Sequence, residues 1–154
     1  MTKRFNIYLV VTLIWVCIIF SFSLQTADIS QDLSTGVGLE ILETFFPKLF
    51  EKLDSIPQEQ IDFWHFLLRK AGHFSEYLIL GILSLLTFLQ SKLRYKRASA
   101  FGFCVMIASM DEMIQLFVDG RSGQISDVAL DSIGALTGIL LILGLRFLWC
   151  RRKK

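Results

Sequence analysis

The sequence predicts an all-α polytopic membrane protein with four transmembrane helices, and three observations carry that prediction. Apolar residues make up 53% of the 154 positions and charged residues only 19%, against about 25% charged in ordinary soluble domains. The charges are bunched between four long apolar runs, and the mean hydropathy is +0.54. The runs approach or exceed the ~20 residues that a helix needs to cross the hydrocarbon core, and none shows the period-two alternation of a barrel strand.

The first span, about 5–24, contains no charge. It is too long for the ~7–15-residue apolar region of a signal peptide, and no A-x-A cleavage site follows it, so it is read as a retained helix. The second, about 74–91, has Glu76 near its start; the third, about 98–118, is interrupted by Asp111 and Glu112. The fourth, about 128–149, begins beside Asp131 and ends near Arg146. The whole of 1–154 is read as one membrane domain. Cys17, Cys104 and Cys150 have no C-x-x-C spacing and are expected to be buried small hydrophobes, not a disulfide framework or zinc site. A formal charge of +2 with no basic stripe excludes a nucleic-acid partner.

Basic residues set the expected orientation. Lys3, Arg4, Lys92, Arg94, Lys96, Arg97, Arg146, Arg151, Arg152, Lys153 and Lys154 are 11 of the 16 Lys and Arg, and a four-span chain places them all on one side. None of the 14 Asp and Glu falls there. That side is predicted to be cytoplasmic, with both termini inside.

The outer segment, 25–72, is expected to be amphipathic and interfacial. Ile41, Leu42, Phe45, Phe46, Leu49, Phe50 and Leu53 recur at helical spacing opposite Glu40, Glu43, Glu51 and Lys52, with a bend at Pro47. Ser55 and Gln58 resemble a capping box, opening a second short helix with Ile61, Phe63, Trp64, Phe66 and Leu67 on the way to span two. Helices of this kind lie in the membrane interface or cover the bundle's mouth, and Trp64 suits the interface.

The informative residues are the polar ones within the spans. His73, Glu76 and Tyr77 share one face of span two by i, i+3, i+4 spacing. Asp111 and Gln115 share a face of span three, with Glu112 alongside, and Asp127 and Asp131 repeat the i, i+4 pattern in span four. Arg121 lies in the short Asp119–Gly123 turn between spans three and four. All these groups are expected at one membrane level, on the outer side. Intramembrane charges cost a few kcal/mol each and turn inward, where they pair structurally or do chemistry. Arg121 with Arg69 or Lys70 could simply lock the carboxylates. Alternatively, with five acids facing few cations, either several acids are protonated or a bound cation compensates, a ligand's amine or a hard divalent ion, for which Asp111, Asp127 and Asp131 with His73 would suit Mg²⁺ or Mn²⁺ better than zinc. Gly134 and Gly138 form a small-x-x-x-small step expected to allow close helix packing.

Three blocks of these residues resemble a known family. The segment from Arg69 to Tyr77 (RKAGHFSEY), followed by Leu80-Gly81, is similar to the R-K-x-x-H-F-x-E-Y segment of the VanZ-like family of bacterial membrane proteins. Asp111-Glu112-Met113-Ile114-Gln115-Leu116-Phe117 resembles its D-E-x-x-Q-x-F block. Gly120-Arg121, Asp127, Asp131, Gly134 and Gly138 resemble its closing pattern, with Asp119 where proline is expected and Asp131 where asparagine is common. The resemblance implies a VanZ-like domain in the bacterial cell membrane, in a family whose named member is linked to low-level teicoplanin resistance. It implies no established reaction.

The residues leave three functions open. In the first, a non-enzymatic pocket of His73, Glu76, Tyr77, Asp111, Glu112, Gln115, Arg121, Asp127 and Asp131 binds an envelope lipid, a peptidoglycan precursor or a lipoglycopeptide, flanked by Phe45, Phe46 and Trp64. In the second, a divalent-metal enzyme uses His73 on a phosphate-bearing lipid. In the third, the carboxylates relay protons in a coupled transporter, although the inner halves of spans one and four offer no polar path except Arg146. The oligomeric state is not set by the sequence.

Overall fold

The computed structural model describes residues 3–25, 58–121 and 123–152, besides Gly36 and Thr44 taken singly. The expected amphipathic helix over 41–53 with its bend at Pro47, and Ser55 of the capping box, lie outside the described residues. Among those described there are four α-helices and no strand: α1 (Lys3–Ser23), α2 (Gln58–Leu89), α3 (Lys96–Gln115) and α4 (Ile125–Arg152).

Three helices are long and apolar enough to cross a membrane: α1, the Phe63–Leu89 part of α2, and the Ile125–Arg151 part of α4. The third expected span, α3, falls short of that apolarity because Asp111, Glu112 and Gln115 crowd its last two turns. Its 20 residues are nonetheless about 30 Å long at ~1.5 Å per residue.

One boundary differs from the sequence expectation. The short helix around Phe63 and the second span are one continuous helix of 32 residues. After Pro57 no proline interrupts the run to Leu89, and Gly72 alone costs only ~1 kcal/mol relative to alanine, too little to break a helix packed over most of its length. The helix is about 48 Å long, well beyond the ~30 Å hydrocarbon core. Its first turns therefore project past the bundle with Phe63, Trp64, Phe66 and Leu67 exposed.

Paired contacts fix an up-down-up-down arrangement. Lys70 meets Asp127, His73 faces Asp131, and the Phe74 and Leu78 backbones lie against Gly134 and Gly138, so α2 and α4 advance in parallel. On α1, Thr12 bonds Thr87 at 2.9 Å and the Trp15 indole N–H donates to the Glu76 carbonyl at 3.0 Å, the antiparallel sense to α2. Cys104 of α3 reaches Ser84 of α2 at 3.5 Å. The α2–α3 turn is closed by Lys96, whose ammonium donates to the Leu89 carbonyl at 3.0 Å and satisfies an end-of-helix acceptor.

The seam between α2 and α4 is the closest in the bundle. A methyl group placed on Gly138 would overlap the Leu78 carbonyl, and one on Gly134 would stand 2.6 Å from the Phe74 carbonyl oxygen. The small-x-x-x-small step thus brings two backbones together, as expected of such residues in membranes. The core beside it contains Ile19, Tyr77, Leu80, Cys104, Ile107, Ala108 and Ala135. Of the cysteines only Cys104 is buried; Cys17 and Cys150 are exposed. Burial was expected for all three, but the latter two lie on helix faces that no neighbouring helix covers among the described residues.

The charges segregate by end. Lys3, Arg4, the 92–97 turn and Arg146–Arg152 occupy one end, while the polar residues of the spans gather at the other, hereafter the acidic end.

Candidate functional site

Four elements converge at the acidic end. α1 delivers Ser23, in its last turn. α2 delivers Lys70, His73, Glu76 and Tyr77, one above another because three- and four-residue steps return to the same helical face. α3 delivers Asp111, Glu112 and Gln115, and α4 delivers Asp127 and Asp131. The α3–α4 connection turns at Gly120, whose φ of 75° lies in the left-handed region where a side chain is disfavoured.

Asp111 is 1% exposed, Glu112 5%, Gln115 4% and Asp131 0%, so these are interior groups. The Ser23 hydroxyl donates to the Asp111 carboxylate. The Gln115 amide nitrogen lies between Ser23 (3.4 Å), Asp111 (3.5 Å) and Glu112 (3.4 Å), long contacts that hold it as a shared donor. Glu112 accepts the Gln124 backbone N–H at 2.8 Å, tying the turn to α3. Asp127 forms an ion pair with Lys70, and the Lys70 ammonium also stands 5.3 Å from the Phe66 ring centre. The Arg121 guanidinium donates to the Phe22 carbonyl at 3.3 Å. Partial burial and the neighbouring Arg69 lower the Arg121 pKa from its ordinary value, opposed by Asp111, Glu112 and Glu76.

The deepest groups are the least satisfied. Both carboxylate oxygens of Asp131 and Nδ1 of His73 have no hydrogen-bond partner among the described residues. His73 Nδ1 stands 3.6 Å from Asp131. Ligand atoms of His73, Asp111, Glu112 and Asp131 all lie within 4.8 Å of one another.

A family model described as VanZ/LLP1 matches residues 8–148, a stretch holding every residue of this constellation. The chain belongs to the VanZ/LLP1 family. Comparison with curated proteins and with solved structures gives no match. In this VanZ-family membrane protein, the three sequence blocks similar to the family are the segments whose side chains meet at the acidic end.

The nine residues singled out from the sequence do not all meet. His73, Asp111, Glu112 and Asp131 form the inner group, with Tyr77 and Gln115 against it. Glu76 is half-buried and within Coulombic reach of Asp111 and Arg121. Asp127, expected among the metal ligands, belongs instead to a pair with Lys70, one turn nearer the helix start than Asp131. Glu112 takes its place in the inner group. Three participants were not among the site residues expected from the sequence. Ser23 had a signal, a hydroxyl at the end of span one and level with the acids. Trp15 and Gln124 act on or through the backbone and had none.

Proposed function

We propose that this VanZ-family membrane protein is a non-enzymatic binding protein of the bacterial envelope, its acidic end facing outward and both termini cytoplasmic. The basic residues gathered at the opposite end support that orientation. Cysteines introduced at positions 54–60 are then expected to react with a membrane-impermeant reagent on intact cells; labelling only after lysis would invert the topology and overturn the outward pocket.

The observation that carries the binding proposal is a buried group from three helices, the carboxylates of Asp111, Glu112 and Asp131 with the His73 imidazole, and the cations Arg69, Lys70 and Arg121 gathered at the same end, the bundle's mouth. Buried polar groups without partners are costly, which favours a ligand that completes them. Cations at the mouth suit the phosphates of an envelope lipid or peptidoglycan precursor, and the acids suit the amines of a glycopeptide. Phe63, Trp64, Phe66 and Leu67, exposed beside the mouth, offer an apolar landing for the acyl tail of a teicoplanin-type lipoglycopeptide. Phe45 and Phe46, expected to share that role, lie outside the described residues.

Expression in a teicoplanin-susceptible bacterium is expected to raise the inhibitory concentration of teicoplanin more than that of a glycopeptide lacking the tail. A Trp64→Ala/Phe66→Ala double variant, present at wild-type level, is expected to lose that difference. Equal protection against both drugs, or none, would sink the proposal. A metal-dependent enzyme would instead consume a phosphate-bearing lipid when purified. Proton-coupled transport finds less support: the buried polar pairs below the acids, Thr12–Thr87 and Ser84–Cys104, are neutral.

A further inference from the structure

The inner group has the composition and spacing of a cation site. Three carboxylates, from Asp111, Glu112 and Asp131, share the interior with one imidazole, and their donor atoms lie within 4.8 Å of one another. Oxygen donors held about 2.0–2.6 Å from a hard divalent cation stand at most about 4–5 Å apart across it. That spacing puts all four residues within reach of a single ion.

Acidic clusters are common without ions, but here the deepest member has no other partner. Asp131 is 0% exposed and neither of its oxygens is hydrogen-bonded among the described residues. Nδ1 of His73 likewise has no hydrogen-bond partner while standing 3.6 Å from that carboxylate. The nearby cations make their direct contacts elsewhere, Lys70 with Asp127 and Arg121 with the Phe22 carbonyl, while Arg121 acts on Asp111 and Glu112 through space. Among the described residues, no Lys or Arg forms an ion pair with Asp111, Glu112 or Asp131. Ser23 and Gln115 donate to Asp111, and the Gln124 N–H to Glu112, the kind of outer support that orients carboxylate ligands.

We propose that His73, Asp111, Glu112 and Asp131 bind one divalent cation of the Mn²⁺ type in the interior of the bundle. The carboxylates call for a hard cation and the imidazole for one that tolerates nitrogen; Mn²⁺ accepts both, while Mg²⁺ prefers an all-oxygen shell with several waters. Four protein ligands leave positions open on a six-coordinate ion. The cation site does not depend on which envelope molecule the mouth accepts.

The test uses the full chain purified in detergent, stripped with a chelator and titrated with Mn²⁺, the free ion being read by its electron paramagnetic resonance signal. Wild type is expected to take up one Mn²⁺ per chain saturably, with a rise in melting temperature that tracks occupancy. Asp131→Asn and Glu112→Gln are expected to abolish both uptake and rise. Asp127→Asn is expected to keep both, because Asp127 pairs with Lys70. Each variant's metal-free melting transition reports folding, so either ligand variant suffices if the other fails to fold. No uptake by wild type would overturn the site, as would Asp127→Asn losing as much as Asp131→Asn. The readout is metal on isolated protein, so failure here leaves the glycopeptide proposal standing, and loss of drug protection leaves the cation site standing.

Discussion

Gly138→Ala is expected to lower the stability of the protein in detergent by about 2–3 kcal/mol, the upper part of the usual overpacking range. The added methyl falls on the Leu78 carbonyl, a backbone atom that cannot rotate aside, so α2 and α4 must separate. The contrast is Gly102→Ala on α3, where no atom lies within 4 Å of the new methyl. There the substitution is expected to be neutral or to stabilise by up to ~1 kcal/mol, because alanine is the better helix former. Detergent-titrated unfolding of both variants checks the pair. If Gly138→Ala behaves like Gly102→Ala, the close α2–α4 approach is wrong, and with it the juxtaposition of His73 and Asp131 that depends on this seam.

Lys70→Met is expected to destabilise by about 2–4 kcal/mol, since removing one partner of a buried ion pair leaves the other charge uncompensated. The lower part of the range for a fully buried pair applies because the Lys70 side chain keeps 17% exposure, against 6% for Asp127. Asp127→Asn in the same chain should restore most of the loss, giving a favourable coupling of about 1–3 kcal/mol in a double-mutant cycle. Coupling indistinguishable from zero would mean that Lys70 is solvated and that Asp127 is free to serve the inner group. The same variants separate the two roles of the acids. Loss of the Lys70–Asp127 pair should change stability with little effect on Mn²⁺ uptake, while Asp131→Asn should do the reverse.

Fold class, the four helices and the polar residues worth attention were legible in the sequence, because each is a property of one helix. An apolar run of span length, a three- or four-residue spacing, and a charge within such a run are one-dimensional signals with a direct physical cost behind them. The Gly134 and Gly138 step was legible for the same reason: residues four apart share a face, and a face without side chains can only be for close approach. Misplaced expectations concern boundaries and partners. The boundary expected between Leu67 and Phe74 does not exist, since helix continuity is decided by packing along α2 and not by the polarity change at Arg69–His73.

Partner choice belonged to the tertiary structure alone. Asp127 and Asp131 are one helical turn apart and chemically identical, so nothing in the chain says which faces the interior and which faces a lysine. The rotation of α4 against α2, set where Gly134 and Gly138 meet the Phe74 and Leu78 backbones, puts Asp127 beside Lys70 and Asp131 beside His73. The depth of α3 brings Glu112 into the inner group, and the reach of α1 brings Ser23 to Asp111. The sequence determined which charges must turn away from lipid, because desolvation penalises each of them wherever its helix lies. Which charges then meet depends on relative rotations and depths of four helices, quantities that exist only once the bundle has packed.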